Sequence, residues 1–234
     1  MEKTNIKIND AMETIMLTRE MEKSPHKEEK NYETIKNGSD FGVVYKKKQV
    51  LTLCIRGTGG ESGFIKSLQG WIRNFMFRKK KAKNFYSAKH RGFKQSSLFF
   101  TKRLISELKK DNSIKEIELI GFSAGGGIVQ CMLSQIVKDI LKRKGILPVV
   151  SIYLFASPNA ISDPFKLPFY PRLRVYNIRN EGDFIAGIGH PLYKDFGEII
   201  EMETSLKDKL RGISWVHHYD CYLRNTQRRL KNGK

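Results

Sequence analysis

The segment with the clearest capacity for chemistry centres on a serine and has the sequence Leu119-Ile120-Gly121-Phe122-Ser123-Ala124-Gly125. An apolar run precedes its Gly-x-Ser-x-Gly pattern, and a long segment with helical periodicity follows it. This order predicts a strand, a sharp turn and a helix, the arrangement called a nucleophile elbow, which exposes the serine at the turn. The alternative interpretation is a glycine-rich turn without a chemical role, because Gly-x-Ser-x-Gly also arises by chance.

A serine hydroxyl at such a turn can attack a carbonyl carbon if other groups assist it. A base must take its proton, a carboxylate must orient the base, and N–H groups must stabilise the negative charge that forms on the attacked oxygen. The helix after the turn directs N–H groups toward that charge, and the N–H of Ala124 is the nearest of them. We therefore predict Ser123 as the nucleophile and Ala124 as an oxyanion donor.

The elements needed to position these groups are those of an α/β domain. A hairpin with lysines at its turn comes first, and apolar strands then alternate with amphipathic helices, which predicts a largely parallel sheet. The predicted hairpin strands are Phe41–Tyr45 and Gln49–Ile55, the later strands are 149–155, 173–178 and 198–202, and the helices are 97–110 and 124–144.

We expect three regions along the chain. Residues 1–40 form an N-terminal arm, with a short helix that begins at Asn9-Asp10 and a linker from Glu20 to Asp40. Residues 41–223 form the α/β domain. Residues 224–234 form a basic tail without acids, which we expect to be frayed.

The chain of 234 residues is strongly basic, with a formal net charge of +19. The window from Trp71 to Lys110 contains thirteen lysines and arginines and a single acid, Glu107. Such a concentration of charge predicts attraction to polyanions, either an anionic membrane surface or a nucleic acid. Because no recognised nucleic-acid motif accompanies the charge, the membrane surface is the favoured partner.

Three cysteines, Cys54, Cys131 and Cys221, lack metal-ligand spacing, so we expect free thiols in a reducing compartment. The N-terminal region has no apolar run long enough for a signal peptide or a membrane span. We therefore expect a cytoplasmic or peripherally membrane-associated protein, and we expect neither a cofactor nor a bound metal.

Several further motifs, in one order from about residue 42 to 223, resemble those of the class 3 lipase family of α/β hydrolases. The matching segments are Ile55-Arg56-Gly57-Thr58 with Trp71-Ile72, His90-Arg91-Gly92-Phe93, Phe155-Ala156-Ser157-Pro158, Arg174-Val175-Tyr176-Asn177, Asn180-Glu181-Gly182-Asp183, and His217-His218-Tyr219 with Tyr222-Leu223. Phe122 departs from the family, which usually has histidine before the serine. The resemblance implies an α/β-hydrolase fold, with a mostly parallel sheet, flanking helices and a lid segment after the oxyanion strand.

The resemblance also implies a catalytic triad of Ser123, Asp183 and His217, in the chain order nucleophile, acid and base. An imidazole titrates near neutral pH and can carry the serine proton, while a carboxylate holds its tautomer. The place of Asp183 after the strand 173–178 favours it over Asp163 and Asp195, which we interpret as turn residues.

Only one of the adjacent histidines, His217 and His218, can face the serine. The family often places a tyrosine five residues after the base, and the spacing to Tyr222 favours His217, with His218 as the alternative. A metal site at this pair is disfavoured because no Cys or acidic cluster at ligand spacing joins it. The resemblance further assigns Thr58 as the second oxyanion donor, whereas by itself it would be a loop residue that caps its own backbone.

Lipases of this family carry a lid helix between the oxyanion strand and His90. Apolar residues there recur at helical spacing and a cationic cluster follows, a composition typical of an element that lies in a lipid interface. The alternative is an ordinary amphipathic helix packed on the core. The predicted lid and interface residues are Trp71, Ile72, Phe75, Met76, Arg78, Lys79, Lys80 and Lys81.

Together these expectations describe a serine-dependent carboxylic ester hydrolase that acts on lipid esters, of the triacylglycerol lipase or phospholipase type, through an acyl-enzyme. The alternative is a catalytically idle protein of the same fold that binds an anionic membrane or a nucleic acid through its basic surface.

Overall fold

The structure, a computed structural model, describes residues 2–24, 32–56, 91–142, 147–162, 170–186, 188 and 193–233. Seven strands in these ranges form one sheet, in which the order in space equals the order along the chain. The strands are β1 (Tyr32–Asn37), β2 (Asp40–Lys47), β3 (Val50–Arg56), β4 (Glu116–Phe122), β5 (Val149–Phe155), β6 (Leu173–Asn180) and β7 (Glu198–Met202).

The sheet is antiparallel from β1 to β3 and parallel from β3 to β7. Its register places Ile55 beside Gly121, and Phe155 between Phe122 and Ile178, so the carboxyl ends of β3 to β6 meet at one edge. Ligands and reacting groups of parallel sheets lie outside this edge. The predicted mostly parallel sheet is confirmed, and the loops that follow β4 and β6 share that edge.

Helices cover both faces of the sheet. They are α1 (Glu2–Lys23), α2 (Arg91–Lys110), α3 (Ala124–Leu141), α4 (Leu206–Leu210), α5 (Ile213–Val216) and α6 (Tyr219–Asn232). Leu53 and Leu119 belong to the core cluster with α2 and α3, whereas their neighbours Cys54 and Ile120 pack with α1 and α6. The central strands are apolar on both faces for this reason. Among the helices that the structure describes, none is long and apolar enough to cross a bilayer.

Most predicted elements are present with small shifts at their ends. Strands β5 and β7 have the predicted bounds, and the hairpin of β2 and β3 turns at Lys48, which has a φ of 55°. Helix α2 begins at Arg91 rather than at residue 97, and α3 ends at Leu141 rather than at residue 144. The cysteines Cys54, Cys131 and Cys221 are buried, and none of the three forms a disulfide.

The N-terminal region differs from the predicted arm. Helix α1 begins at Glu2 rather than at Asn9, and β1, which pairs with β2 over its whole length, lies in the stretch interpreted as a linker. The apolar side chains that α1 buries are Ile8, Ala11, Met12 and Ile15. Residues 2–23 and 32–40 therefore belong to the same core and sheet as the rest, and a boundary near residue 41 was wrong.

The C-terminal residues 224–234 were also predicted wrongly, as a frayed tail. Helix α6 continues to Asn232, Asn225 and Thr226 are buried, and Arg229 Nε donates a hydrogen bond to Asn5 Oδ1 at 3.0 Å. Because this part of the helix buries small polar residues rather than apolar ones, hydrophobic periodicity does not reveal its contact with the body of the protein.

Candidate active site

Ser123 lies at the turn between β4 and α3, with a φ of 53° and a ψ of −123°. A residue with a side chain rarely adopts a positive φ, and the strain costs about 1–3 kcal/mol. Hydrogen bonds on both sides hold the turn: Ser123 N donates to Phe155 O at 2.9 Å, and Gly126 N donates to Ser123 O at 3.0 Å. The structure thus has the sharp strand-to-helix turn that the sequence predicted.

Two glycines let helix α3 pass close to the sheet. A Cβ atom on Gly121 would lie 2.6 Å from the Cα of Gly126, and one on Gly125 would lie 2.1 Å from the carbonyl oxygen of Ile55. Both distances are far inside van der Waals contact, and both neighbouring atoms are backbone. The Gly-x-Ser-x-Gly spacing is therefore required by the close packing of the helix against β3 and β4.

His217, the residue after α5, brings its imidazole to the serine. Its side chain is completely buried, and its Nε2 lies 3.0 Å from Ser123 Oγ. Its Nδ1 lies 2.8 Å and 3.0 Å from the two carboxylate oxygens of Asp183. When Nδ1 carries its proton toward Asp183, Nε2 is the acceptor for the serine hydroxyl. The three side chains form one continuous hydrogen-bonded chain.

Asp183 is held in the turn that follows β6. Its N–H donates to the carbonyl oxygen of Asn180 at 3.0 Å, and its Oδ1 accepts from the N–H of Ile185 at 3.0 Å. Its Oδ2 accepts from the hydroxyl of Tyr222 at 2.7 Å. The side chain of Asp183 has no exposed surface, and these donors together with His217 supply its hydrogen-bond partners. The buried carboxylate is therefore not left without partners.

A buried polar network lies behind this aspartate. The hydroxyl of Tyr222 accepts from Asn180 N–H at 3.0 Å while it donates to Asp183. Asn180 Nδ2 donates to the carbonyl oxygen of Val216 at 2.7 Å, and Asn225 Nδ2 donates to Asn180 Oδ1 at 2.9 Å. Burial, together with the nearby charge of Asp183, raises the pKa of Tyr222 well above its ordinary value, so the hydroxyl keeps its proton. The network ties β6, α5 and α6 together.

Sequence reasoning missed most of this network. It used Tyr222 only as a spacing marker and gave no function to Asn180 or Asn225. A signal was available, because residues three apart in a helix lie on one face, and that face of α6 carries the tyrosine and the asparagine.

Phe122 packs beside the histidine. Its ring is stacked on Tyr219, with ring centroids 4.0 Å apart, and lies 5.7 Å from the ring of His217. At the position where the resembling family usually has histidine, this chain therefore has an apolar wall that shields the imidazole from water.

The two alternative residues within the described ranges have other surroundings. His218 is the N-cap of α6, because its Nδ1 accepts from the N–H of Asp220 at 3.3 Å. The ring of His218 stacks on the ring of Trp215. Asp195 accepts from Asn159 Nδ2 at 3.0 Å and forms an ion pair with Arg179. The histidine whose Nε2 faces Ser123 is thus His217, and the carboxylate that contacts it is Asp183.

The remaining predicted residues divide into one described residue and a larger set outside the described ranges. Ala124, buried beside Ser123, is the first residue of α3, so its N–H is at the helix N-terminus. The second set comprises Thr58, Trp71, Ile72, Phe75, Met76, Arg78, Lys79, Lys80 and Lys81, as well as His90 and Asp163. Within the described residues, no group of three or more His, Cys, Asp or Glu side chains is arranged to hold a metal ion.

The sequence matches no protein-family profile and has no significant match among curated proteins. Solved structures do resemble it. Lipase II from Rhizopus niveus has a TM-score of 0.63 at 14% identity, over 87% of this chain and 81% of that one. A deletion mutant of the Rhizomucor miehei lipase propeptide complex has a TM-score of 0.59 at 14% identity, over 96% and 75% of the two chains. The triacylglyceride lipase of Rhizomucor miehei has a TM-score of 0.53 at 15% identity, over 89% and 83%.

These comparisons, at such low identity, establish a shared fold. The chain has the α/β-hydrolase fold of the fungal class 3 lipases, with a mostly parallel sheet flanked by helices. The resemblance indicated by the sequence motifs is confirmed at that level. The serine, histidine and aspartate described above lie at the edge of this fold where its strands have their carboxyl ends.

Proposed function

We propose that this protein is a serine-dependent carboxylic ester hydrolase that acts on lipid esters. The observation that carries the proposal is the buried chain of hydrogen bonds from Ser123 through His217 to Asp183, built on a positive-φ serine at a helix N-terminus. A purely structural role does not require a strained serine, a buried histidine and a buried carboxylate in this order.

The first step of the proposed reaction is attack by the serine. Ser123 Oγ adds to the acyl carbonyl carbon while Nε2 of His217 takes the hydroxyl proton, and Asp183 stabilises the imidazolium that results. The negative charge moves to the carbonyl oxygen, where the N–H of Ala124 and the dipole of α3 stabilise it. Thr58 is proposed as the second donor on the basis of the sequence resemblance. Each such donor is typically worth about 3 kcal/mol of the barrier.

The second step releases the two products. The imidazolium of His217 gives its proton to the leaving alcohol as the carbon–oxygen bond breaks, which leaves an acyl-enzyme on Ser123. A water molecule then attacks the acyl carbon while His217 takes its proton. The imidazolium gives that proton to Ser123 Oγ as the bond to the acyl carbon breaks, and the carboxylic acid departs.

The choice of a lipid ester is supported by the shared fold and by the basic, partly apolar composition of the window from Trp71 to Lys110. Triacylglycerol lipase, phospholipase and small-ester hydrolase remain separate proposals within this class. Release of labelled fatty acid from a panel of triacylglycerols and phospholipids distinguishes them, because only the accepted headgroup and chain length yield free acid.

A fluorophosphonate probe tests the nucleophile directly, because a serine whose proton is removed by a base displaces its fluoride and becomes a phosphonate ester. We expect labelling at Ser123, identified by mass spectrometry of the digested protein, and its loss in His217→Ala. The matched control is His218→Asn, since asparagine keeps the helix cap that His218 provides. If His218→Asn abolishes labelling and His217→Ala does not, the assignment of the base is wrong.

Membrane attraction through the predicted lid gives another expected result. Vesicles with anionic lipid should bind the protein more weakly as salt rises, because the Debye length falls from about 10 Å at 0.1 M to about 3 Å at 1 M. Replacing Arg78, Lys79, Lys80 and Lys81 with glutamine should reduce hydrolysis of vesicle lipid more than turnover of a short-chain ester in solution. Trp71→Ala should share the vesicle defect, since it removes a large apolar anchor.

The competing interpretation, an idle protein that binds nucleic acid, has a different signature. If that interpretation is right, the variant with glutamine at positions 78 to 81 loses affinity for DNA or RNA in a filter-binding measurement. Its binding to vesicles is then unchanged. That result, combined with absent fluorophosphonate labelling, would remove the protein from the ester hydrolases.

A further inference from the structure

Three large apolar side chains are exposed in the short segment that leads to His217. Leu206 is 72% exposed, Leu210 is 79% exposed and Ile213 is 52% exposed. Single exposed leucines are common on protein surfaces, but three within eight residues form a cluster that marks interaction surfaces. We refer to residues Leu206–Ile213 as the 206–213 segment.

The 206–213 segment is fixed to the protein by its polar side rather than by its leucines. Asp208, between them, is completely buried and accepts from Trp215 Nε1 at 2.8 Å and from Arg224 at 2.8 Å. Its Oδ2 also accepts from the hydroxyl of Ser205 at 2.6 Å, and Ser205 caps α4 by accepting from the N–H of Asp208. Burial raises the pKa of Asp208, but these hydrogen bonds and the Arg224 charge outweigh it, so the net pKa is lowered and the carboxylate stays ionised. The buried Asp208 faces the protein, whereas Leu206 and Leu210 are exposed to solvent.

The exposed charges of the segment are all positive. Lys207, Lys209 and Arg211 are exposed, and the guanidinium of Arg211 lies 3.6 Å from the centre of the Trp215 ring. The only acid between Leu206 and Ile213 is the buried Asp208. Exposed leucines interleaved with cations match a surface that is apolar inside and anionic outside, which is the boundary of an anionic bilayer.

The segment contacts the residues next to both His217 and Asp183. Ile213 precedes His217 by one turn of helix, since the N–H of His217 donates to the carbonyl oxygen of Ile213 at 3.1 Å. Lys209 Nζ lies 2.6 Å from a carboxylate oxygen of Glu181, in the turn that carries Asp183. The next residue along that turn, Phe184, is 49% exposed. A lipid held against this surface therefore lies next to the elements that carry His217 and Asp183.

We propose that the 206–213 segment docks on an anionic lipid surface, with Leu206, Leu210 and Ile213 entering the acyl boundary and Lys207, Lys209 and Arg211 contacting headgroup phosphates. This deepens the proposed function, on which it rests for the choice of lipid as partner. It adds a docking element within the described residues, which lies between Asp183 and His217 in the sequence, whereas the predicted lid precedes Ser123.

The test measures binding in protein that carries Ser123→Ala, so that no lipid is consumed. Cosedimentation with vesicles of phosphatidylcholine and phosphatidylglycerol gives the partition coefficient. Replacing Leu206, Leu210 and Ile213 together with serine should lower that coefficient at least tenfold, because three anchoring side chains are lost while the core is untouched. The matched control replaces Ile6, Leu141 and Ile199 with serine, since these three are about half exposed on other elements, and it should bind as the parent does.

A charge variant separates the two contributions. Replacing Lys207, Lys209 and Arg211 with glutamine should remove most of the preference for anionic over neutral vesicles and flatten the salt dependence. A melting temperature close to the parent's for both triple variants shows that the fold is retained, because surface contacts such as the ion pair of Lys209 with Glu181 add little to stability.

Three outcomes overturn the inference. Parent-like vesicle binding by the serine triple variant is the first, and an equal loss in the matched control is the second. The third is self-association of the parent protein in sedimentation equilibrium that the serine triple variant loses while its vesicle binding persists. That result would make the segment an interface between two copies of the chain. Binding is measured without hydrolysis, so the two proposals can fail separately. A wild-type protein that binds vesicles through the segment but hydrolyses no ester would defeat only the proposed function. One that hydrolyses esters but does not bind vesicles through the segment would defeat only this inference.

Discussion

Replacing Ser123 with alanine is expected to lower kcat for ester hydrolysis by a factor on the order of 10⁴ to 10⁶, since the attacking oxygen is removed. Folding should be unaffected, because the hydroxyl faces His217 across the site rather than the core. The measurement is release of fatty acid or of a chromogenic alcohol under saturating substrate, compared with the uncatalysed rate. Hydrolysis at the wild-type rate in Ser123→Ala would falsify the proposed triad.

A double variant sharpens that result. If Ser123 and His217 act as one unit, Ser123→Ala/His217→Ala should be no slower than either single variant, because each change alone already removes the proton transfer. Asp183→Asn should lose roughly 10⁴-fold, as it favours the wrong tautomer of the imidazole. Asp195→Asn, with its carboxylate paired to Arg179, is the matched control and should keep most of the activity. Additive losses in the double variant contradict a shared mechanism.

The second large effect concerns folding. Gly125→Ala would place a Cβ atom 2.1 Å from the carbonyl oxygen of Ile55, and neither α3 nor β3 can move without opening the core between them. We expect a loss of at least about 3 kcal/mol in the free energy of unfolding, at the upper end of overpacking effects. For a chain of this size that corresponds to a fall in Tm of at least about 6 °C, measured by thermal unfolding.

Gly38→Ala is the control for this substitution. Gly38, unlike the helical Gly125, has a left-handed backbone, with a φ of 61°, and a Cβ there meets nothing within 4 Å. It should cost only the conformational strain of about 1–2 kcal/mol. A Gly125→Ala variant as stable as Gly38→Ala would mean that the helix is not packed against β3 as described.

The parallel core could be predicted from the sequence because its strands are buried on both faces. Every residue of Val149–Phe155 except Ser151 is apolar, and the predicted bounds of this strand match the structure. The elbow was predictable for a related reason: the glycines that permit the close approach of α3 have fixed spacing from the serine. Where packing demands one residue type, the sequence shows it.

The terminal regions could not be predicted in the same way. Helix α1 buries Asn5, Asn9 and Thr18 along with its apolar side chains, so its inward face is mixed in character. The first strand, Tyr32–Asn37, is polar along most of its length because it is at the edge of the sheet. Hydrophobic patterning detects apolar faces, and these elements are fixed by hydrogen bonds and by partners far away in the chain.

The candidate site was predictable only in part. Ser123 followed from local spacing, whereas the choice of His217 over its neighbour required the resemblance to a known family. No local pattern shows that Asn180 fixes the residue before His217, since the two are brought together only by the turn after β6 and the helices that follow. Thr58 as oxyanion donor and the lid residues from Trp71 to Lys81 remain predictions.

The contact between α1 and α6 has a consequence for how the chain is made. Arg229 and Asn5 are 224 positions apart, so the ribosome produces α6 long after α1. At about 5–20 residues per second, the interval is on the order of ten seconds or more. During that time the stripe of Ile8, Met12 and Ile15 lacks its final neighbour, Tyr222, and remains open to other nascent chains. Helix α1 is thus made before α6 but is fully covered only when α6 has been added.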